Sequence, residues 1–74
     1  MKRTDITVRS TQTEGGAPIP AVIQWPDGRS WNITRVIHIC ASAEGEYPGV
    51  RYTVMIGKRE KYLYRDAAGW YVMA

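Results

Sequence analysis

The sequence predicts an all-β domain, and three features support this prediction. Turn-forming residues recur about every 8–12 positions, which is the spacing of a small β fold. β-Branched and aromatic residues, among them five Tyr and three Trp, fill the segments between the turns. No segment shows the apolar period of a helix. We therefore expect five or six antiparallel strands that form one domain over residues 1–74.

In the first half of the chain we expect two strands followed by a hairpin turn. The strands are Asp5–Arg9 and Ala21–Trp25, and residues 14–20 between them contain two Gly and two Pro, which interrupt a strand ladder. The Pro26–Gly28 segment then predicts a turn. Its proline presets φ, its aspartate can accept bonds from the next amides, and its glycine tolerates a positive φ.

A single long strand is expected over Ser30–Cys40. Its apolar side chains share one parity: Trp31, Ile33, Ile37 and Ile39. Arg35 has the same parity, although a guanidinium is not buried without a partner. Either a bulge near Thr34 turns Arg35 outward, or a carboxylate meets it inside the domain. We expect the bulge, because strands that bend between the two sides of a barrel often carry one.

The C-terminal half predicts two hairpins with four-residue loops, Gly57–Glu60 and Asp66–Gly69. A two-residue turn at Lys58 and Arg59 is disfavoured, because both residues would need a positive φ. The predicted pairs are Ile56 with Lys61, Val54 with Leu63, Tyr52 with Arg65, Leu63 with Val72 and Arg65 with Trp70. The face turned to the core then carries Val50, Tyr52, Val54, Ile56, Leu63, Trp70 and Val72. The outer face carries Thr53, Met55, Tyr62, Tyr64, Tyr71 and Met73.

These strands fit a small antiparallel barrel or a strongly curled sheet, either SH3-like or OB-like. The alternative is a single curled meander that a dimer partner completes. A chain of 74 residues buries only about 60% of its unfolded surface on folding. Its margin of stability is therefore thin, and an oligomer would increase it.

Two segments resemble short uncharacterised proteins of Firmicutes bacteria. The first segment is Trp25-Pro26-Asp27-Gly28-Arg29 with Trp31, Ile33 and Arg35-Val36. The second is Arg51-Tyr52-Thr53-Val54 with Ile56, Arg59, Tyr62-Leu63-Tyr64 and Trp70-Tyr71-Val72. The resemblance extends over roughly residues 21–73 and implies a compact bacterial β domain. It implies no activity and no site residue.

Composition excludes several classes of protein. Hydrophobic residues make up 45% and charged residues 23% of the chain, which is globular rather than disordered composition. No apolar run approaches the roughly 18 residues that span a membrane, and we expect no secretion signal. The single cysteine, Cys40, excludes an internal disulfide and a four-cysteine zinc site. A reducing cytoplasm is therefore the expected compartment.

The sequence predicts no catalytic residue, no metal site and no cofactor. His38 is the only histidine, and it shares one side of a strand with Cys40, so the pair could begin a metal site or a nucleophile pair. Because no third member lies nearby on the strand, we interpret both as structural. Most carboxylates fall in turns, where they accept bonds from backbone amides. An enzyme is the least favoured interpretation.

The leading functional hypothesis is a non-enzymatic interaction module that self-associates or docks a protein partner. It rests on the tyrosine face, our name for Met55, Tyr62, Tyr64, Tyr71 and Met73 together. Tyr and Met are enriched at protein interfaces, and large exposed apolar patches are seldom without a role. The alternative is that the N-terminal strand or residues 41–49 cover this face.

The second functional hypothesis is nucleic-acid binding by the hairpin over residues 51–65. The chain has a net charge of +3 and a pI of about 9.3, which permit such binding without requiring it. Basic residues alternating with tyrosines can hold phosphates while the rings stack on bases. The candidate residues are Arg51, Lys58, Arg59, Lys61 and Tyr64.

Overall fold

The computed structural model describes residues 2–16, 18–41 and 49–73. Seven strands make up the fold: β1 (Arg3–Thr11), β2 (Ile19–Gln24), β3 (Ser30–Asn32), β4 (Arg35–Ala41), β5 (Val50–Ile56), β6 (Arg59–Asp66) and β7 (Gly69–Met73). The prediction of an all-β, antiparallel fold is confirmed, with seven strands instead of five or six. No helix in the described ranges is long and apolar enough to cross a membrane.

The strands form one sheet in the order β3-β2-β1-β7-β6-β5-β4. β3 and β4 follow each other in sequence but lie at opposite edges, so the sheet curls until the two edges approach. Only Ile33 and Thr34 connect the two edges. The Ile33 amide donates to the Ala21 carbonyl at 2.8 Å, and the next amide, that of Thr34, donates to the Met55 carbonyl at 2.9 Å. The result is a half-barrel with a gap, called the seam below, between β4 and residues 19–21 of β2.

The predicted hairpin turn at Pro26–Gly28 is present. The Gly28 amide donates to the Trp25 carbonyl at 3.0 Å, and the Trp25 amide donates to the Arg29 carbonyl at 2.8 Å. Gly28 has φ +95°, a conformation that glycine adopts without strain. Asp27 accepts the Arg29 amide at 3.0 Å, which is the role expected of an aspartate in this position.

The predicted length of the Gly57–Glu60 loop is wrong. Ile56 pairs with Arg59, so only Gly57 and Lys58 form the turn. Gly57 takes φ +63° and Lys58 does not have a positive φ. A hairpin turn with glycine at its first central position has this arrangement, and it needs no other residue in the left-handed region.

The shorter turn shifts the pairing of β5 and β6 by two residues. Val54 lies opposite Lys61 and Tyr52 opposite Leu63, instead of the predicted Leu63 and Arg65. A shift of two keeps every side chain on its side of the sheet, so the predicted core face is retained. The predicted pairing of Arg65 with Trp70 is confirmed, but Asp66 also pairs with Gly69, so this loop too is shorter than predicted.

The predicted long strand is divided into β3 and β4, because the Ile33 amide bonds to β2 and the Thr34 amide bonds to β5, near opposite edges of the sheet. Arg35 is exposed, as expected, but the strand is interrupted at Ile33 and Thr34 where a bulge was predicted. A second irregularity lies between Val36 and His38 and leaves Ile37 without a cross-strand partner in β5. It reverses the alternation of the strand, which brings Ile39 opposite Tyr52.

The core consists of buried side chains from β2, β5, β6 and β7: Ile23, Tyr52, Val54, Leu63 and Val72. Tyr52 crosses the interior of the half-barrel. Its hydroxyl donates to the Pro18 carbonyl at 2.9 Å and accepts a bond from Nε of Arg65 at 3.3 Å. Tyr52 therefore links β5 to Pro18, the residue that precedes β2 on the other side of the seam.

Candidate nucleic-acid interface

The tyrosine face is less exposed than the sequence suggests. Tyr71 is only 2% exposed, so its assignment to an exposed patch is wrong. The Arg3 guanidinium covers its ring, with 3.9 Å between Cζ and the ring centroid. Tyr64 stacks on the same residue, with ring centroids 5.0 Å apart and planes 10° from parallel. The N-terminal strand thus covers this part of the face, which was the alternative left open by the sequence.

Ion pairs hold Arg3 in this position. Its Nη1 donates to Asp66 and its Nε donates to Asp5, both at 2.9 Å. The bond from Arg3 is the main reason that the pKa of Asp66 lies below its usual range. Burial is the main reason that the pKa of Tyr71 is raised, and the nearby charge of Asp66 adds to the effect.

The other members of the tyrosine face differ in exposure. Tyr62 is 49% exposed and Met73 is 37% exposed, whereas Met55 and Tyr64 are half-buried. The Arg51 guanidinium lies over the Tyr62 ring, with 4.4 Å from Cζ to the centroid. Cations therefore sit on two rings of this face.

The structure divides the predicted nucleic-acid-binding residues among three places. Arg51 and Tyr64 are cross-strand partners on the outer face of β5 and β6. Lys58 and Arg59 are exposed at the hairpin turn. Lys61 belongs to the opposite face and approaches two tryptophans that the sequence hypothesis did not include.

Those tryptophans are the centre of the tryptophan site, our name for Trp25, Arg29, Trp31, Arg59 and Lys61 together. The rings of Trp25 and Trp31 are 5.0 Å apart and meet edge to face at 63°. Nζ of Lys61 lies 5.2 Å from the Trp31 centroid and 6.0 Å from that of Trp25. Cζ of Arg29 lies 5.9 and 5.8 Å from the same two centroids. Two ammonium or guanidinium groups thus face one aromatic pair.

Hairpin geometry brings the two tryptophans together. Trp31 pairs with Ile23 across β2 and β3. Trp25 is two residues beyond Ile23, so the two indoles are diagonal neighbours on one side of the hairpin. This relationship could be predicted from the turn at Pro26–Gly28, whereas the approach of Lys61 from a second hairpin could not.

Asp27 positions Arg29 beside the tryptophans. Its second carboxylate oxygen accepts a bond from Nε of Arg29 at 2.7 Å. The backbone bond from Arg29, followed by this side-chain bond, holds the pKa of Asp27 below its usual range. The carboxylate is therefore ionised near neutral pH and orients the guanidinium.

A recess adjoins the aromatic pair. It has a volume of about 480 Å³ and is lined by Trp31, Asn32, Ile56 and Arg59. Small-molecule pockets typically measure about 300–1,000 Å³. The recess combines an aromatic wall, an amide that both donates and accepts hydrogen bonds, and a cation, which together suit a flat, polar, anionic ligand.

His38 and Cys40 lie on the same side of β4, as expected. His38 pairs with Thr53 and Cys40 pairs with Arg51. Within the described ranges, no three His, Cys, Asp or Glu side chains come together in a way that could hold a metal ion.

Comparison with protein-family models, curated proteins and solved structures finds no match for this chain.

Proposed function

We propose that this protein is a non-enzymatic module that binds single-stranded nucleic acid through the tryptophan site. The observation that supports this proposal is the Trp25–Trp31 pair with the cations of Arg29 and Lys61 beside it. Aromatic rings that stack on bases, combined with cations that track the backbone, are the common elements of single-strand recognition. We further propose that the domain is an SH3-like or OB-like barrel of the bacterial cytoplasm.

In this proposal Trp31 supplies the stacking surface. It is half-buried on the short edge strand β3 and forms a wall of the adjoining recess. A base stacked there would place its edge near Asn32, and stacking is worth about 1–3 kcal/mol per base. The phosphates on either side would meet Arg59 and Lys58, which are both exposed at the β5–β6 turn.

Two features favour this site over the tyrosine face. The tryptophan site and the turn beside it carry the exposed cations Arg59 and Lys58, whereas Arg3 on the tyrosine face is held by two carboxylates. The tryptophan site also adjoins a recess, whereas Tyr71 is buried under Arg3. Docking of a protein through the tyrosine face remains a prediction and is tested separately.

Fluorescence anisotropy with labelled, mixed-sequence single-stranded DNA and RNA tests the proposal. Binding should weaken as salt increases, because phosphate contacts release counterions. Three or four contacts predict a loss of roughly twenty- to fiftyfold in affinity between about 50 and 200 mM salt. Absence of binding to either oligonucleotide at about 50 mM salt would contradict the proposal.

Matched variants separate stacking from charge. Trp31→Leu should weaken binding by roughly tenfold and Trp31→Phe by much less, because phenylalanine retains a ring. Lys58→Glu combined with Arg59→Glu should abolish binding without changing the oligomeric state. Arg9→Glu is the charge control, since Arg9 is exposed on β1 and lies outside the tryptophan site. Equal losses in Arg9→Glu and Lys61→Glu would show that only net charge matters.

A further inference from the structure

The seam runs along an edge of β4 that pairs with no other described strand, and apolar side chains lie beside this edge. β4 is the last strand of the sheet and has a partner, among the described strands, on one side only. About half of the backbone amides and carbonyls of such a strand point away from its partner and can pair with another chain. Ile37 is 46% exposed and Ile39 is 37% exposed, and both line the seam.

The wall of the seam opposite β4 offers fewer hydrogen-bonding groups. It consists of Ile19, Pro20 and Ala21, at the start of β2. These residues lie outside the β2–β3 pairing, which begins at Val22. Pro20 has no amide hydrogen, so this wall offers apolar contact more than hydrogen bonds. The bond from Tyr52 to the Pro18 carbonyl holds the wall in place from the interior.

The dimensions of the seam favour one extended chain over a second barrel. The gap has a volume of about 670 Å³, and residues of both β2 and β4 line it. A single strand added along β4 would lie between these walls. A second copy of the domain would pair through one edge strand, and the strands next to that edge would clash with the β2 wall. The irregularity at Ile37 also limits regular pairing to short stretches on either side of it.

Charge specifies the segment further. Among the described residues that line the seam, Arg35 is the only Lys or Arg and none is Asp or Glu. Arg35 is exposed and forms no ion pair with any other residue in the described part of the chain. A carboxylate on the incoming segment would give this guanidinium a partner.

We infer that the seam binds one extended segment of a partner protein as an added strand along β4, with apolar side chains at alternate positions and a carboxylate facing Arg35. Backbone pairing with β4 provides a sequence-independent part of the affinity, and the contacts with Ile37, Ile39 and Arg35 provide selectivity. This site is separate from the tryptophan site, so its occupancy does not depend on nucleic-acid binding.

Selection from a phage-displayed library of short linear peptides tests the inference. Enriched peptides should alternate apolar with polar residues and carry Asp or Glu. Synthetic copies should bind wild type and lose at least about tenfold in affinity, or about 1.4 kcal/mol, against Ile37→Lys. Arg35→Glu should reverse the charge preference from acidic to basic peptides. Hydrogen exchange in the complex should slow at β4 amides. Because Ile37 and Arg35 are exposed, both variants should keep the circular dichroism and the oligonucleotide affinity of wild type.

Three results would overturn the inference. One is a selection that yields no enriched peptide. Another is a set of peptides that bind Ile37→Lys as well as wild type or that protect strands other than β4. The third is a wild-type dimer in sedimentation that Ile37→Lys converts to a monomer, which would assign the seam to a second copy of the chain.

Discussion

The guanidinium of Arg3 lies over the ring of Tyr71, with 3.9 Å between Cζ and the ring centroid. The two residues are on the neighbouring strands β1 and β7, whose pairing joins the first three strands to the last four. The same guanidinium donates to Asp66, next to the turn that precedes β7. One side chain thus covers a buried tyrosine and links both ends of the chain.

Replacing Arg3 should destabilise the fold. Arg3→Met keeps an unbranched apolar side chain over Tyr71 but removes the ion pairs and the cation–π contact. We expect a lower urea midpoint and a weaker near-ultraviolet circular dichroism signal from the tyrosines. Arg9→Met is the control, because Arg9 is an exposed arginine on the same strand. Equal midpoints for the two variants would show that the Arg3 contact does not stabilise the protein.

Asp66 should make the stability depend on acid pH. Its pKa is lowered in the folded protein by the bond from Arg3, with a further contribution from the amides of Ala68 and Gly69. An unfolded aspartate titrates near pH 3.9. The contribution of Asp66 is therefore fully present above that pH and is lost as the pH falls through the lowered folded-state pKa.

The measurement is the urea midpoint between about pH 5 and pH 2. Asp66→Asn should be less stable than wild type at the upper end and should lose less stability as the pH falls. Glu14→Gln is the control, because Glu14 is exposed in the loop after β1. If the urea midpoint of Asp66→Asn fell with decreasing pH as much as that of wild type, this role for Asp66 would be ruled out.

Two glycines provide a test of turn geometry. Gly28 and Gly49 both have positive φ, at +95° and +81°. A Cβ at Gly28 would meet nothing within 4 Å, whereas a Cβ at Gly49 would collide with the backbone carbonyl of Arg65. Gly28→Ala should therefore cost about 1 kcal/mol, from conformational strain alone. Gly49→Ala should cost clearly more, because the β6 backbone must move as well. Denaturant unfolding measures the free energy of unfolding of both variants. Equal decreases for Gly28→Ala and Gly49→Ala would contradict the collision at Arg65.

Local patterns predicted the fold class and the core face correctly. The core residues Tyr52, Val54, Leu63 and Val72 follow from strand alternation. The register error at Gly57 did not affect them, because a shift of two residues preserves the side of the sheet. The turn itself was visible in the sequence, since glycine at the first central position is typical of a two-residue hairpin turn.

Exposure was harder to predict than alternation, because it depends on residues far apart in the chain. Nothing near Tyr71 in the sequence indicates that Arg3 covers its ring. The tryptophan site also depends on residues far apart in the sequence. The Trp25–Trp31 contact lies within one hairpin, but Lys61 approaches it from another. The break between β3 and β4 depends on hydrogen bonds to Ala21 and Met55, on strands that the local pattern does not place side by side.

Self-association through the tyrosine face remains a prediction, and the structure changes how it should be tested. Tyr64 stacks on buried Tyr71, so Tyr64→Glu would disturb the packing as well as any interface. Tyr62 is the better position, because it is 49% exposed. If this face forms the dimer, Tyr62→Glu should give a folded monomer.

Tyr62→Phe is the control for Tyr62→Glu. It retains the ring under Arg51 and should preserve the dimer, since only the hydroxyl is lost. Sedimentation equilibrium across a concentration series measures both variants against wild type. A dimer with a dissociation constant of about 1 mM corresponds to only about 4 kcal/mol of association free energy. Wild-type protein that stays monomeric at that concentration would exclude the tyrosine face as a dimer interface.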